Sequence, residues 1–393
     1  MRGKRVGMRG NAAVAYAVKQ ADVDVIAAYP ITPQTIIVEV LSEYVNNGEL
    51  NAAFIPVESE HSALSACVGA SLAGARVFTA TASQGLALMY EILWIASALR
   101  TTIVMALANR ALSAPINIHC SHDDAYAARD TGWIQFFAEN VQEAYDLTLQ
   151  AFKVSEDKRV LLPSIINLDG FILTHSLEGL YVLDDKDVRD FLPPKEPVQP
   201  IDPDNPITYG PLDLQDYYIE HKRQQAEAMK NSYGPIKEVF AEYSELAGRK
   251  YAPVKTYGIE DAEVAALVLG SSAGTVRYVA RKLRKQGKKV GVISLTLYRP
   301  FPIDELKKAL KGIKVLAVMD RSYSFGSPAA QLFMDVAAAL YNDKEKPLLF
   351  NVVYGLGGRD LKPEHVVYIF EKAEEVARVG EVCESQIWVG VRD

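Results

Sequence analysis

Cysteine is scarce in this chain, which has 393 residues but only Cys67, Cys120 and Cys383. This odd and widely spaced set can neither frame a network of disulfides nor supply the CxxCxxC run that holds an iron–sulfur cluster. A reducing, cytoplasmic setting is therefore expected. Any electron-transfer chemistry would have to use cofactors that other chains hold.

Long apolar runs and dense clusters of one charge are also missing. No apolar run reaches the roughly 20 residues that span a bilayer, and the longest candidate, residues 86–99, is broken by Glu91. The 42 basic and 49 acidic residues give a net charge of −7 without a long Lys/Arg cluster. We therefore expect no membrane span, no nucleic-acid partner and no basic membrane-docking face.

The start of the sequence combines basic side chains with a short apolar stretch that ends at Lys19, Gln20 and Asp22. A secretory signal peptide needs a longer uninterrupted apolar core. We predict an amphipathic helix there.

The composition that remains is typical of packed globular domains, with 49% hydrophobic and 23% charged residues. A single hydrophobic core rarely serves a chain of this length, because domains usually hold roughly 100–200 residues. Two domains, or three, are expected.

The N-terminal half alternates short apolar runs with helical patterns, which is typical of a parallel α/β sheet. Several runs are apolar almost throughout, as strands covered on both faces must be. The predicted strands are residues 23–28, 53–57, 76–82, 102–108 and 160–168, and the predicted helices are residues 35–45, 59–73, 85–99 and 141–156.

A proline-rich segment, residues 192–211, follows and predicts an extended arm or connector. A charged helix is expected over about residues 217–246, with Gly248 as its stop. Strands at residues 264–269, 290–295, 315–319 and 350–354 then predict a second, smaller α/β domain. The expected division is residues 1–250 and 256–393.

Polar segments follow four consecutive strands of the first predicted sheet. These segments are residues 29–34, 58–61, 83–85 and 109–110. Ligands of open α/β sheets collect beyond the carboxyl ends of the strands, so we expect these segments to form one site.

Each candidate in this set also has an ordinary structural explanation. Glu60 could be a helix-start acid stabilised by the dipole and capped by Ser59, or a partly buried functional carboxyl group. Residues 29–33 could be only a rigid turn. Arg110 could form a surface salt bridge, or bind a carboxylate beside the long polar loop 111–131.

Taken together, these segments resemble the alpha subunit of the 2-oxoacid:ferredoxin oxidoreductases, and in particular of the pyruvate:ferredoxin oxidoreductases. The motifs are YPITPQT (29–35), VESEHSA (57–63), TATASQGL (79–86) and NRALSAPINI (109–118), with further matches at residues 129–133, 298–302, 324–326 and 355–360. The matches keep their order over nearly the whole chain.

The resemblance implies an α/β fold in which a pyrimidine-binding thiamine diphosphate domain precedes a domain like the C-terminal domain of transketolase. Glu60 matches the family glutamate that hydrogen-bonds the aminopyrimidine ring of the cofactor. Thr32 and Arg110 match the positions that contact the substrate. The remaining cofactor-binding candidates are Tyr29, Pro30, Ser83 and Gln84.

The family also implies partners, because no Gly-Asp-Gly with a downstream Asn is present here to hold magnesium and diphosphate. A beta subunit is expected to carry the diphosphate site, Mg²⁺ and an iron–sulfur cluster. Gamma and ferredoxin-like delta subunits, ferredoxin and coenzyme A complete the expected reaction. Residues 113–118 favour pyruvate. The alternatives are a branched-chain or other 2-oxoacid, and a non-catalytic assembly subunit.

Three further signals stay open. The HCSHDD segment, residues 119–124, carries metal-capable side chains but fits a polar loop better, and that loop could gate the site. The glycine-rich turn at residues 270–274 could cradle a phosphate of coenzyme A, or be an ordinary strand-to-helix turn, which we favour. Residues 355–358 could supply flexible backbone at a subunit contact. No metal site is predicted in this chain.

Overall fold

A computed structural model describes residues 2–392 and contains a seven-stranded sheet, a six-stranded sheet and a two-stranded ribbon. The N-terminal part comprises β1 (Lys4–Arg9), α1 (Gly10–Gln20), β2 (Val25–Ala28), α2 (Thr35–Asn46), β3 (Ala53–Pro56), α3 (Glu60–Leu72), β4 (Val77–Thr81), α4 (Ser83–Leu88), α5 (Tyr90–Ala98), β5 (Ile103–Asn109), α6 (Asp123–Ala127), β6 (Ile134–Phe137), α7 (Val141–Glu156), β7 (Ser164–Asp169), β8 (Leu177–Val182), α8 (Asp185–Phe191), α9 (Tyr218–Asn231) and α10 (Tyr233–Ala247). The C-terminal part comprises β9 (Val254–Tyr257), β10 (Val264–Val268), α11 (Ser272–Lys285), β11 (Val290–Leu295), β12 (Leu297–Arg299), α12 (Ile303–Ala309), β13 (Val315–Asp320), α13 (Gln331–Leu340), β14 (Leu348–Tyr354), a 3₁₀ turn (Leu356–Gly358), α14 (Pro363–Val379) and β15 (Gln386–Val389).

The seven-stranded sheet has the order β12-β6-β7-β5-β4-β2-β3, and its six N-terminal strands run parallel. Every residue of the central strands β4 and β5 is buried, because helices cover both faces of the sheet. The predicted parallel α/β sheet is confirmed. Its edge strand β12 comes from the C-terminal part and pairs antiparallel with β6, with Leu297 opposite Phe136.

The six-stranded sheet has the order β15-β14-β13-β10-β11-β9 and confirms the second predicted α/β unit. Only β9 runs antiparallel to its neighbour, β11, within the residues that the structure describes. Strand β12 belongs to the C-terminal part but pairs with β6 of the seven-stranded sheet. The two parts of the chain are therefore joined by backbone hydrogen bonds. The division at residues 250 and 256 remains a proposal.

Several predicted elements differ in extent. The strand expected at residues 160–168 begins only at Ser164, directly after Pro163, which has no N–H to donate to a ladder. The charged helix divides into α9 and α10 at Ser232, just before Pro235. Gly248 ends α10 in the left-handed conformation (φ 64°), as predicted. The helix expected at residues 85–99 also divides, into α4 and α5.

The N-terminal helix is confirmed, but it is buried over most of its surface and is not amphipathic. Ala13, Val14 and Val18 of α1 are fully enclosed, and α1 packs against α7. The ribbon of β1 and β8, together with β6, was not predicted. None of the helices described combines the length and the apolar character that crossing a membrane requires.

The proline-rich segment contains neither helix nor strand, as expected, and it covers a cavity of about 1010 Å³. Leu72, Leu99, Pro197 and Tyr209 are among the residues that line this cavity. None of the predicted site residues lines it, so the cavity is a gap between the arm and the first sheet's helices.

A buried ion pair joins α7 to the end of α10. The Asp146 carboxylate, which is fully buried, accepts hydrogen bonds from Arg249 Nε and Nη2, each at 2.8 Å. The hydroxyl groups of Tyr243 and Tyr251 donate to the same carboxylate at 2.5 Å. The carboxylate is thus the counter-charge of the Arg249 guanidinium.

We expect Asp146→Asn to lower the free energy of unfolding by about 3–5 kcal/mol, because the buried guanidinium of Arg249 loses its counter-charge. Glu238→Gln on α10 is the matched control, since Glu238 pairs with Arg159 in solvent, and it should leave the thermal midpoint unchanged. Equal midpoints for the two variants would contradict this account. Thermal denaturation followed by circular dichroism makes the comparison.

Candidate active site

The carboxyl ends of β2, β3, β4 and β5 meet at one edge of the seven-stranded sheet, and the segments that follow them contact one another. Arg110 Nη1 donates to the Thr32 carbonyl at 3.0 Å. The Ser83 hydroxyl lies 2.6 Å from the Ala111 carbonyl. The structure therefore brings the four predicted segments together.

Glu60 begins α3 and is nearly enclosed, with 6% of its surface exposed. Ser59 caps the helix by accepting a hydrogen bond from the Ser62 N–H at 3.3 Å, so the cap is Ser59 and not the Glu60 carboxyl group. Among the residues that the structure describes, none donates a hydrogen bond to the Glu60 side chain. Its carboxyl group is therefore nearly enclosed and available to accept a hydrogen bond from a ligand.

Gly85 lies directly against this carboxyl group. A side-chain carbon at position 85 would stand 2.6 Å from Glu60 Oε1 and would also overlap the Thr81 hydroxyl. The Thr81 hydroxyl is itself buried and lacks a partner among the described residues. Position 85 therefore requires glycine, because the backbone of α4 lies so close to Glu60 and Thr81. The Glu60 carboxyl group and the Thr81 hydroxyl both lack a hydrogen-bond donor or acceptor among the described residues.

Two buried amide side chains hold the turn at residues 29–34 in place. Gln34, fully buried, donates from Nε2 to the Ala80 carbonyl at 2.6 Å. Asn11 Nδ2 donates to the Pro33 carbonyl at 2.8 Å. The side chains of Tyr29, Pro30 and Thr32 remain exposed on the outer side of the turn.

Arg110 is 7% exposed and donates to two backbone carbonyl groups, those of Thr32 at 3.0 Å and Asn117 at 3.2 Å. Burial lowers the pKa of Arg110, and Asp124 opposes that shift. Neither carbonyl carries a charge, so the positive charge of the guanidinium is not cancelled by these contacts. Thr32 contacts Arg110 through its carbonyl group, and its hydroxyl forms no hydrogen bond among the described residues.

Ser83 and Gln84 lie at the start of α4. Ser83 adopts a positive φ of 44°, and its hydroxyl lies 2.6 Å from Gln84 Oε1. Gln84 is half-buried. The two side chains therefore contact each other next to Gly85, which lies against the Glu60 carboxyl group.

Asp124 is a functional candidate that sequence reasoning missed. Its Oδ2 accepts the backbone N–H groups of Ser83 at 3.0 Å and of Arg110 at 2.9 Å. Its Oδ1 accepts from Asn109 Nδ2 at 3.0 Å and from the Ala125 N–H at 2.8 Å. Burial raises the pKa of Asp124 to about 7, although these donors lower it. One carboxyl group thus joins the ends of β4 and β5.

The HCSHDD segment contributes to a buried polar cluster between the two parts of the chain. The ligand atoms of Cys120, His122 and Asp169 lie within 4.8 Å of one another. The Asp169 oxygens are already occupied: His122 Nε2 is at 2.8 Å, Ser271 Oγ at 2.5 Å and Arg321 Nη1 at 3.2 Å. Burial would raise the pKa of Asp169, but Arg321 and His122 hold it well below its usual range. An ion-pair cluster fits these contacts better than a metal site.

The donors of the turn at residues 270–274 also bind the Asp169 carboxylate. The N–H and hydroxyl groups of Ser271 both donate to Asp169, at 3.1 and 2.5 Å. A side-chain carbon at Gly270 would stand 2.6 Å from Asp169 Oδ1. These contacts favour the ordinary structural role of the turn over a phosphate site.

Comparison with known proteins decides the family. Residues 16–241 match the thiamine diphosphate-binding domain of pyruvate flavodoxin/ferredoxin oxidoreductases, and residues 262–366 match core domain II of pyruvate:ferredoxin oxidoreductase. The chain belongs to the pyruvate:ferredoxin oxidoreductase family. The predicted resemblance is confirmed.

Curated relatives in this family align over nearly their full length. The pyruvate synthase subunit PorA of Thermotoga maritima is 49% identical over 391 residues, which cover 99% of each chain. The subunit of the same name from Pyrococcus furiosus is 50% identical and covers 98% of this chain and 97% of its own. The ketoisovalerate oxidoreductase subunit VorA of Pyrococcus abyssi is 44% identical and covers 96% of both.

Solved structures confirm the fold. A 2-oxoglutarate:ferredoxin oxidoreductase from Magnetococcus marinus, solved with 2-oxoglutarate, coenzyme A and succinyl-CoA bound, superposes with a TM-score of 0.71 at 20% identity. The match covers 94% of this chain and 65% of that longer chain. An inactive split-gene transketolase tetramer superposes with a TM-score of 0.57 at 13% identity. That match covers 95% of this chain and 100% of the transketolase chain.

We expect Asp124→Asn to loosen the 111–131 loop, because an amide offers its NH₂ group to two of the four N–H donors. Leaving a buried donor unpaired costs roughly 1–3 kcal/mol. Limited proteolysis should cut this loop faster than in the parent protein. The control is Asp130→Asn in the same loop, since this exposed carboxylate accepts only from the neighbouring Arg129; equal cleavage in both variants would contradict the role of Asp124.

Proposed function

We propose that this chain is the alpha subunit of an enzyme that converts pyruvate, coenzyme A and oxidised ferredoxin reversibly into acetyl-CoA, CO₂ and reduced ferredoxin. The observation that carries the proposal is the buried Glu60 carboxyl group, which has no donor among the described residues. The two curated relatives at 49–50% identity, both named as pyruvate synthase subunits, support it.

The residues at this edge fit thiamine diphosphate. When bound, this cofactor supplies a nucleophilic carbon and an electron sink for the decarboxylation of 2-oxoacids. Glu60 would accept a hydrogen bond from the aminopyrimidine ring and hold a proton there. Glu60 is nearly enclosed, so this contact would be largely shielded from water. Tyr29, Pro30, Ser83 and Gln84 would flank the ring.

The rest of the cofactor requires a partner chain. The sequence lacks the Gly-Asp-Gly and downstream Asn that would hold magnesium and diphosphate, so we assign Mg²⁺ and diphosphate to a beta subunit. Cys67 and Cys120 are buried separately and Cys383 is exposed; we assign the iron–sulfur clusters to beta and to a ferredoxin-like delta subunit, with a gamma subunit completing the complex. A cytoplasmic location also remains a prediction.

Arg110 and Thr32 would bind the substrate. The Arg110 guanidinium is oriented by neutral carbonyl groups and keeps its charge for a carboxylate. The exposed Thr32 hydroxyl is able to donate to the carboxylate or the keto oxygen. Together they would hold the carboxylate group until it leaves as CO₂.

A branched-chain 2-oxoacid is the alternative substrate, because the VorA relative is 44% identical. The ratio of kcat/KM for pyruvate to kcat/KM for 2-oxoisovalerate separates the two. A higher value for 2-oxoisovalerate would overturn the assignment to pyruvate.

Glu60→Gln in the assembled complex should lower kcat by about 10²–10⁴-fold, because the amide cannot share a proton with the ring. The measurement is pyruvate-dependent ferredoxin reduction. Glu43→Gln is the control, since this exposed carboxylate lies in the last turn of α2, away from the site, and it should leave turnover unchanged. Full activity in Glu60→Gln would favour a non-catalytic assembly subunit.

Arg110→Lys should raise the KM for pyruvate by about 10- to 100-fold, the range expected when a charged hydrogen bond to a carboxylate is lost. Arg100→Lys provides the comparison, because Arg100 also donates to two backbone carbonyl groups, those of Val160 and Leu161, away from this edge. Steady-state kinetics with pyruvate measure both. An unchanged KM in Arg110→Lys would remove Arg110 from the substrate site.

A further inference from the structure

A glycine turn in the C-terminal part lies against the loop that follows Arg110. The turn follows β14, and three of its residues have positive φ angles: Gly355 at 67°, Gly357 at 61° and Gly358 at 78°. Left-handed backbone favours glycine at such positions. Conformation alone therefore explains part of the motif.

The remaining reason for glycine in this turn is that the loop after Arg110 packs directly against it. A side-chain carbon at Gly357 would overlap the Asn117 amide group, and one at Gly358 would stand 2.5 Å from His119 Cβ. The Gly358 N–H donates to the Cys120 carbonyl at 2.7 Å. The glycines allow the two backbones to touch, so the motif serves a contact within this chain.

Asn117 connects this turn to Arg110. Its Nδ2 donates to the Gly357 carbonyl at 3.2 Å, and its Oδ1 accepts from the His119 N–H at 2.7 Å. Its own carbonyl accepts from Arg110 Nε at 3.2 Å. One residue thus contacts the C-terminal part through its side chain and the guanidinium through its backbone.

Ala111 is anchored to the Ser83 hydroxyl and the His119 carbonyl, but the residues that follow it lack such support. Residues 113–116 are exposed, and 77% of the Ile116 surface faces solvent. A segment with few buried apolar contacts depends on its hydrogen-bonded anchors for a defined position. The hydrogen bond between Asn117 and Gly357 is the contact with the C-terminal part that lies nearest along the chain to this exposed stretch.

We infer that Asn117, held by Gly357, is a positioning residue that orients the Arg110 guanidinium towards the substrate carboxylate. This inference rests on the proposed role of Arg110. Because the carbonyl groups that orient the guanidinium are neutral, they fix its direction and leave its positive charge for the substrate carboxylate. The C-terminal part would thereby set substrate affinity without touching substrate.

The test is Gly357→Ala in the assembled complex. The added methyl group displaces the Asn117 amide, so the KM for pyruvate should rise about tenfold, as for the loss of one charge-assisted contact. An interaction made equally in ground and transition states changes KM and spares kcat. We expect kcat and bound thiamine to stay within about twofold of the parent enzyme.

Gly380→Ala is the matched control. Gly380 also has a positive φ, 80°, but a side-chain carbon there would meet no atom within 4 Å. It therefore carries the same backbone strain without the contact, and its KM should equal that of the parent. A similar rise in KM for both glycine variants would overturn the inference.

Asn117→Ala is the second variant, because it removes the tether without backbone strain. It should raise the KM as Gly357→Ala does, and the double variant should be no worse than either single one. Unchanged KM in both single variants, together with raised KM in Arg110→Lys, would overturn the inference and leave the proposed function intact. A joint loss of kcat and bound thiamine would show general damage and would also overturn it.

Discussion

The buried carboxyl group of Glu60 is the constraint on which the site depends. Glu60 is nearly enclosed, and none of the described residues donates a hydrogen bond to its side chain, so its carboxyl group is available for a ligand. Gly85 keeps the space beside it open, and the Thr81 hydroxyl adds a second unpaired group. In the proposed function a cofactor ring with N–H groups is this ligand, and the missing diphosphate motif assigns the rest of the cofactor to another chain.

The two parts of the chain are coupled where the site lies. Asp169 at the end of β7 pairs with Arg321 at the end of β13, and β12 extends the first sheet with residues from the second part. The loop after Arg110 is fixed on one side by Asp124 and on the other by the glycine turn. The position of Arg110 is therefore a property of both parts packed together.

Much of the fold could be predicted because buried parallel strands are continuous apolar runs. Glu60 and Arg110 followed from the rule that ligands collect beyond strand ends. β12 could not be predicted, because its partner β6 lies about 160 residues away and short strands leave no local pattern. Asp124 was predicted only to lie in the polar HCSHDD loop, because no local pattern shows that its carboxyl group contacts the ends of β4 and β5. The role of the glycine turn depends on a contact with Asn117 that no local spacing reveals.

The decisive measurement is a structure of the assembled complex with thiamine diphosphate bound. In it, we expect a Glu60 carboxyl oxygen within hydrogen-bonding distance, about 2.6–3.2 Å, of a nitrogen of the aminopyrimidine ring. A ring bound elsewhere, with Glu60 facing water or paired with a side chain of a partner, would contradict it.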